Sequence, residues 1–179
     1  ESGFYLNDLQ ALTEKIGKLS EADGTLMLIG VTFALLDLLD RQPFCLNGSI
    51  VAETGGMKGR RKEIVRTELH EILTKGFQVE SIHSEYGMTE LLSQCYSLGD
   101  GVFDMSKSLH ISLREINDPF TPVEAIGRPG GINVIDLGNV HSCCFIETKD
   151  IGKLVSDTQF EVLGRFDNSE IRGCNLMIS

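Results

Sequence analysis

The chain has 179 residues, 41% of them hydrophobic and 23% charged, with a net charge of −10 at neutral pH. That suits one globular domain with a real core, since a domain of roughly 150 residues buries about two-thirds of its unfolded surface. The acidic balance argues against nucleic acid as a partner, because phosphate binding needs a basic face, and no apolar run approaches the ~20 residues of a membrane span.

Five cysteines, two of them adjacent at Cys143-Cys144, argue against a secreted disulfide framework and point to a reducing cytoplasm. No signal peptide is recognisable. The chain opens at Glu1 rather than Met, which suggests a fragment or a processed form.

Apolar residues at 5, 9, 12, 16 and 19 share one helical face, so Phe4 to Leu19 is expected to be an amphipathic helix. Thr25 to Gly30 is a short apolar run of the kind that suits a strand buried on both faces. A helix over Phe33 to Leu39, a strand over Ser49 to Glu53 and a helix from about Glu63 to Lys75 follow. Val79 to Ile82 reads as a third strand. Gly87 then makes a turn, and Thr89 is the expected N-cap of another helix. Strand and helix in alternation predict an open, mostly parallel α/β sheet with flanking helices over the first ~100 residues. Ligands in such sheets sit beyond the carboxyl ends of the strands, where the loop after Glu53 and the turn after Ile82 lie.

Beyond Gly99 the texture changes. Leu109 to Arg114 alternates as a half-buried strand should. Asp118-Pro119 and the run from Gly127 to Gly131 are turn signals. Ile132 to Leu137, Cys143 to Thr148 and Phe160 to Leu163 are further short strands. The last eighty residues are thus expected to form a mainly antiparallel β sheet or small barrel. No linker separates the textures, so residues 1–179 are read as a single unit.

Two loops carry the candidate chemistry. Thr54-Gly55-Gly56-Met57-Lys58-Gly59-Arg60-Arg61-Lys62 holds three glycines that allow close backbone approach, and four basic residues within five positions. Placed against the macrodipole at a helix N-terminus, these charges suggest a neighbouring anion; a solvated charged turn is the equal alternative. It is no P-loop, because Gly59 follows Lys58. The turn Tyr86-Gly87-Met88-Thr89-Glu90 brings together a flat aromatic, a hydroxyl that can bond a phosphate oxygen and a carboxylate that can hold Mg²⁺.

That turn resembles the Tyr-Gly-x-Thr-Glu motif of the adenylate-forming superfamily, which includes acyl-CoA synthetases and firefly luciferase. The run from His83 to Gln94 is similar to the acyl-protein synthetases of the bacterial luciferase system (the LuxE family), relatives of phenylacetate-CoA ligase and coenzyme F390 synthetase. Three further segments carry the resemblance: Thr54 to Gly59, Asn133 to Leu137, and Gly164 to Cys174. The last resembles the superfamily's hinge segment, with Arg172 where Lys is usual and Gly173 directly after it. Where most of the superfamily reads Thr-Gly-Asp, Val134-Ile135-Asp136 is taken as the equivalent. The resemblance covers nearly the whole chain as the C-terminal part of such an enzyme.

The resemblance implies ATP-dependent conversion of a carboxylic acid, expected to be a fatty acid, into acyl-adenylate, with ATP and Mg²⁺ as cofactors. The acyl group would pass to the Cys174 thiol and on to an acyl reductase partner. Gly55 and Gly56 would wall the adenine and Tyr86 would stack on its other side. Lys58, Gly87 and Thr89 would bind nucleotide, Glu90 would hold Mg²⁺, Asp136 would accept the ribose hydroxyls and Arg165 would touch ribose and phosphate. Thr89, Glu90 and Cys174 are the expected catalytic residues. The superfamily's phosphate loop is not in the chain, so the isolated chain is expected to be inactive. A CoA ligase of the phenylacetate or F390 type, and a non-catalytic nucleotide-binding fragment, are the alternatives.

Other candidates are weaker. His141, Cys143 and Cys144 are expected on a strand, where the two thiols face opposite sides, which argues against zinc. A serine hydrolase would need Gly-x-Ser-x-Gly, which the chain lacks.

Overall fold

The computed structural model describes residues 2–6, 8–20, 25–57, 59–62 and 64–166. The chain separates into two units, Glu1–Glu85 and Tyr86–Ser179.

The first unit contains α1 (Leu9–Ser20), β1 (Met27–Val31), α2 (Thr32–Leu39), β2 (Ile50–Thr54) and α3 (Arg66–Phe77), and it ends in β3 (His83–Tyr86), whose last residue opens the second unit. Strand β2 runs between β1 and β3, parallel to both. Helix α1 starts later than its periodicity suggests, because Asp8 caps it: Oδ1 accepts the Ala11 amide at 2.9 Å. Helix α3 starts at Arg66, after an extended Val65, and stops where Gln78 turns left-handed at φ 54°. Leu28 and Val51 of the strands, Leu35 and Leu38 of α2, and Leu73 and Phe77 of α3 share one core.

The apolar run Val79 to Ile82 is not itself a strand. Val79 and Ile82 are buried in the core, but the strand is the next segment, His83–Tyr86, whose residues alternate between half-buried and buried. Apolar density marked burial there, and burial alone does not fix backbone conformation.

The second unit contains β4 (Cys95–Ser97), β5 (Val102–Asp104), β6 (Leu109–Arg114), β7 (Pro122–Val123), β8 (Pro129–Asp136), β9 (Phe145–Ser156) and β10 (Gln159–Arg165). A 3-10 turn, Leu137–Asn139, follows β8. The strands lie in the order β4-β5-β10-β9-β8-β6-β7, and every pairing among them is antiparallel. Phe103, Ile111, Ile132, Val134 and Phe160 centre the core, with Phe103 and Phe160 stacked at 5.5 Å between centroids. Complete burial of one such ring contributes about 1.5–3 kcal/mol.

Three expectations change in this unit. No helix starts at Thr89, directly after Gly87. Thr89 and Glu90 sit in a turn that the Leu91 amide closes onto the Met88 carbonyl at 3.0 Å. Asp136 accepts the Leu92 and Ser93 amides, which takes them out of any helical ladder. The change of texture therefore comes at residues 85–86 rather than near residue 100. Finally, Pro129 to Gly131 belong to β8 rather than to a turn, while Cys143 and Cys144 lie in the loop before β9. Among the described residues no helix is long and apolar enough to cross a membrane.

Candidate functional site

In the second unit one carboxylate joins two of the motif segments. Asp150 lies on β9 and faces Arg165 directly across the β9–β10 ladder. Its Oδ1 is 3.2 Å from Arg165 Nε, and its Oδ2 accepts the Tyr86 hydroxyl at 2.9 Å. The Asp150 side chain is 13% exposed and that of Arg165 is 73% exposed, so the pair is open to solvent on one side.

Tyr86 reaches Asp150 from the core. Its ring packs edge-on against Phe103 at 6.1 Å and Phe160 at 5.4 Å, and the residue is only 8% exposed. Burial, with the Asp150 carboxylate beside it, pushes the phenol well above the usual tyrosine range. The hydroxyl therefore keeps its proton and stays a donor.

Asp136 has a different environment. It is fully buried at the end of β8. Oδ2 accepts the Leu92 amide at 2.7 Å and the Ser93 amide at 3.0 Å; Oδ1 accepts the Ser93 hydroxyl at 2.7 Å and the Gly138 amide at 2.9 Å. A carboxylate offers about four lone-pair sites, and four donors of the protein occupy them. Burial alone would raise this acid, but the Ser93 hydroxyl and the amides bring it below the usual aspartate range. Its visible work is to fix the turn after Tyr86.

On that turn Thr89 and Glu90 are both exposed, and the Glu90 carbonyl accepts the Asn139 side-chain amide at 2.8 Å. Gly87 is half-buried beside them. Without a helix here, no macrodipole aids phosphate binding at Thr89.

In the first unit, Gly55 and Gly56 are exposed just beyond β2. Gly55 has φ 65°, which a side chain would strain, and a Cβ on Gly56 would meet nothing within 4 Å. The loop is held from below. Thr32 Oγ1 lies 2.5 Å from the Gly55 carbonyl and 3.0 Å from Glu53 Oε2. Glu53 Oε1 lies 3.8 Å from His70 Nε2, which in turn is 3.3 Å from Ser84 Oγ. Burial raises the Glu53 carboxyl, yet His70, Ser84 and Thr32 carry it below its ordinary value.

Two of the four residues of the basic cluster have partners within their own unit. Arg61 pairs with Asp37 and Asp40, and Arg60 lies over the Phe33 ring at 4.8 Å. Helix α3 begins only at Arg66, so the cluster does not stand at a helix N-terminus. Neither observation requires an external anion. Lys58, Arg172 and Cys174 lie outside the described residues.

Asp150 was not among the residues singled out from the sequence. The signal was present: Thr148-Lys149-Asp150 keeps the Thr and the Asp of Thr-Gly-Asp, whereas Val134-Ile135-Asp136 keeps only the Asp.

No protein-family model matches the chain, and no curated protein matches it in sequence. Solved structures do share its fold. ATP-bound MatB from Rhodopseudomonas palustris is similar at a TM-score of 0.63 and 16% identity, over 90% of this chain and 34% of that one. O-succinylbenzoate coenzyme A synthetase from Bacillus subtilis, solved with ATP and magnesium, gives 0.59 and 20%, over 88% of this chain and 34% of that one. A long-chain-fatty-acid-CoA ligase from Archaeoglobus fulgidus gives 0.63 and 14%, over 96% of this chain and 39% of that one. At these identities the likeness shows the fold. The chain spans little more than a third of the length of these neighbours.

Proposed function

We propose that this chain is part of an enzyme that uses ATP to activate a carboxylic acid as an acyl-adenylate. The observation that carries the reading is the Asp150 carboxylate, bonded to Tyr86 of the Tyr-Gly-x-Thr-Glu segment and to Arg165 of the Gly-Arg segment. Two segments far apart in sequence, each resembling an adenylate-forming motif, meet at one partly open acid. The ligases named among the fold neighbours support the same class of chemistry.

Asp150, rather than the saturated Asp136, is proposed to accept the ribose hydroxyls. It has an exposed edge, and a hydroxyl can replace the solvated Arg165 contact at little cost. Arg165, free to turn on its long stem, would then meet the ribose or the phosphate. Tyr86 is proposed to orient Asp150 from behind, since its ring is too buried to offer a stacking face. Gly55, Gly56 and Lys58 remain the proposed base- and phosphate-binding residues of the first unit, and Gly87 and Thr89 those of the turn.

The residues present suit magnesium in its usual role. Among the described residues no three His, Cys, Asp or Glu side chains gather to hold a metal by themselves. Mg²⁺ is commonly held by one or two carboxylates and the substrate's phosphates, and exposed Glu90 would supply such a carboxylate. When bound, the ion would neutralise charge on the phosphoryl oxygens.

The acceptor divides two finer readings. The resemblance to acyl-protein synthetases favours transfer of a fatty acyl group to Cys174 and then to a reductase. The fold neighbours, two of them named as coenzyme A ligases, favour coenzyme A. The class itself is tested by AMP binding to the full chain, with Asp150→Ala and Asp136→Ala measured side by side. Loss of binding in the Asp150 variant supports the reading; equal affinity in the Asp150 variant and the wild type overturns it.

A further inference from the structure

The strand that carries Asp150 does not run regularly. On β8 the register steps from Gly131 to Asn133, two residues; on β9 the partners step from Ile151 to Glu147, four residues. Thr148, Lys149 and Asp150 therefore form a bulge opposite Ile132. Bulges bend a strand and re-aim its side chains, and they leave ladder groups in need of other partners.

Arg114 meets that need. It lies on β6, is 6% exposed, and is paired with Gly131. Its Nη2 donates to the Thr148 carbonyl at 2.8 Å; its Nη1 donates to the Ile132 carbonyl at 2.9 Å and to Asn133 Oδ1 at 2.8 Å. Thr148 Oγ1 also donates to the Ile132 carbonyl at 2.9 Å and accepts the Asp150 amide at 3.0 Å. Beyond the bulge, the Phe166 amide donates to the Lys149 carbonyl at 2.7 Å, and Arg114 Cζ lies 5.8 Å from the centre of the Phe166 ring. One guanidinium thus touches the bulge and the residue that follows Arg165.

The glycine opposite makes this possible. A Cβ on Gly131 would stand 2.7 Å from Arg114 Cζ and 2.8 Å from Nη1. With a side chain at position 131, the Arg114 guanidinium would have to leave its present path across β8 to β9. Arg114 also lies 3.1 Å from Glu147 Oε1, but that carboxylate is 64% exposed and such a contact is weak. The buried bonds to carbonyl oxygens are the ones that fix geometry.

We infer that Arg114 is a positioning residue: lying across Gly131, it fixes the Thr148–Asp150 bulge and Phe166, and so sets the spacing of Asp150 and Arg165. It touches no substrate itself. The inference rests on the proposed nucleotide role of that pair, and its test separates the two.

The test uses the full chain with Arg114→Met, Arg114→Lys and Gly131→Ala. Amide exchange is followed at Asp150 and Phe166, and AMP affinity is measured with and without Asp150→Asn. In folded Arg114→Met, both amides are expected to exchange faster while those of β5 stay protected. AMP affinity is expected to fall about tenfold, with Asp150→Asn adding much less than it does in the wild type, because coupled residues do not act additively. Arg114→Lys should recover part of the loss, and Gly131→Ala should reproduce it. If the two amides exchange at wild-type rates in folded Arg114→Met, or in folded Gly131→Ala where Arg114→Met does not fold, the inference is overturned. It is overturned equally if the Arg114 and Asp150 effects simply multiply. If the wild type binds no AMP, the nucleotide reading fails, and the exchange rates still decide the positioning role.

Discussion

Arg165 Nε stands 3.2 Å from Asp150 Oδ1 at directly opposed positions of the β9–β10 ladder. The guanidinium is largely in water, with 73% of the side chain exposed. The pair is open on its arginine side, and an ion pair that solvent reaches and screens in this way contributes about 0–1 kcal/mol to stability, because two side chains must also be ordered. Its contribution to folding is therefore small, while a solvated cation beside a partly open carboxylate is suited to meeting a ligand.

Arg165→Ala should accordingly change unfolding free energy by less than about 1 kcal/mol. The same substitution should weaken AMP binding by roughly tenfold or more, as loss of a charge-assisted hydrogen bond does. Urea unfolding and calorimetric titration on one preparation give both numbers. A variant that loses stability but keeps affinity would make the pair structural.

Tyr86 supplies a pH test. Its ionisation is raised in the folded state, so it contributes stability that is present below the unfolded value of about 10 and is lost as pH rises above that value. Thermal stability should decline above pH ~10, and Tyr86→Phe should flatten that decline. At neutral pH the same change should cost about 1–2 kcal/mol, since it removes the donor to Asp150 Oδ2. An unaltered alkaline limb in the variant would detach Tyr86 from that titration.

Asp136 should behave as a structural acid. Its folded ionisation lies below the ordinary value of 3.8, so its stabilisation is present above that value and is lost as pH falls through the lower folded one. Asp136→Ala strands the Leu92, Ser93 and Gly138 amides and should cost roughly 3 kcal/mol or more. Asp136→Asn should remove part of the acid sensitivity below pH ~4. If either variant folds with wild-type stability and yet loses AMP binding, the roles of Asp136 and Asp150 are reversed.

The first two strands and the three helices were legible, because apolar runs and helical periodicity mark them, whereas the third strand lies one segment later than the run that announced it. Leu28 and Val51 lie in mostly apolar runs, and α3 repeats Leu69, Leu73 and Phe77 at helical spacing, but β1 is buried on one face only rather than on both, with Met27 and Ile29 more than half exposed. The turn after Tyr86 was not legible. Its local signals favour a helix, and what prevents one is a carboxylate over forty positions away that takes the Leu92 and Ser93 amides. The site divides along the same line. Tyr86 and Arg165 stand in segments recognisable by themselves. Asp150 carried a sequence signal in Thr148-Lys149-Asp150, but what separates it from Asp136 is its open edge on a bulge in β9, and a bulge depends on a register that only the folded sheet defines.

Cys174 decides between the two acceptors. It lies nine positions beyond Arg165 and outside the described residues, so its role rests on the sequence. If Arg165 borders the adenylate, a segment of that length can bring the sulfur to the acyl carbonyl. The chemistry is simple: the thiolate attacks the carbonyl carbon, the bond to the AMP oxygen breaks, and AMP leaves with the electron pair. A thioester then keeps the acyl group reactive enough for a further transfer. A coenzyme A ligase uses an external thiol and has no need of Cys174. The decisive protein is one that carries this chain together with a phosphate-binding segment, given ATP, Mg²⁺ and a fatty acid. The acyl-protein synthetase reading predicts a protein adduct cleaved by neutral hydroxylamine. Cys174→Ser should abolish that labile adduct and leave acyl-AMP formation nearly unchanged, because the first half-reaction does not use the thiol. An adduct undiminished in the variant, or mapped by mass to Cys95, Cys143 or Cys144, would remove Cys174 from the reaction. Acylation of free coenzyme A with no protein adduct would make the coenzyme A ligase reading the correct one.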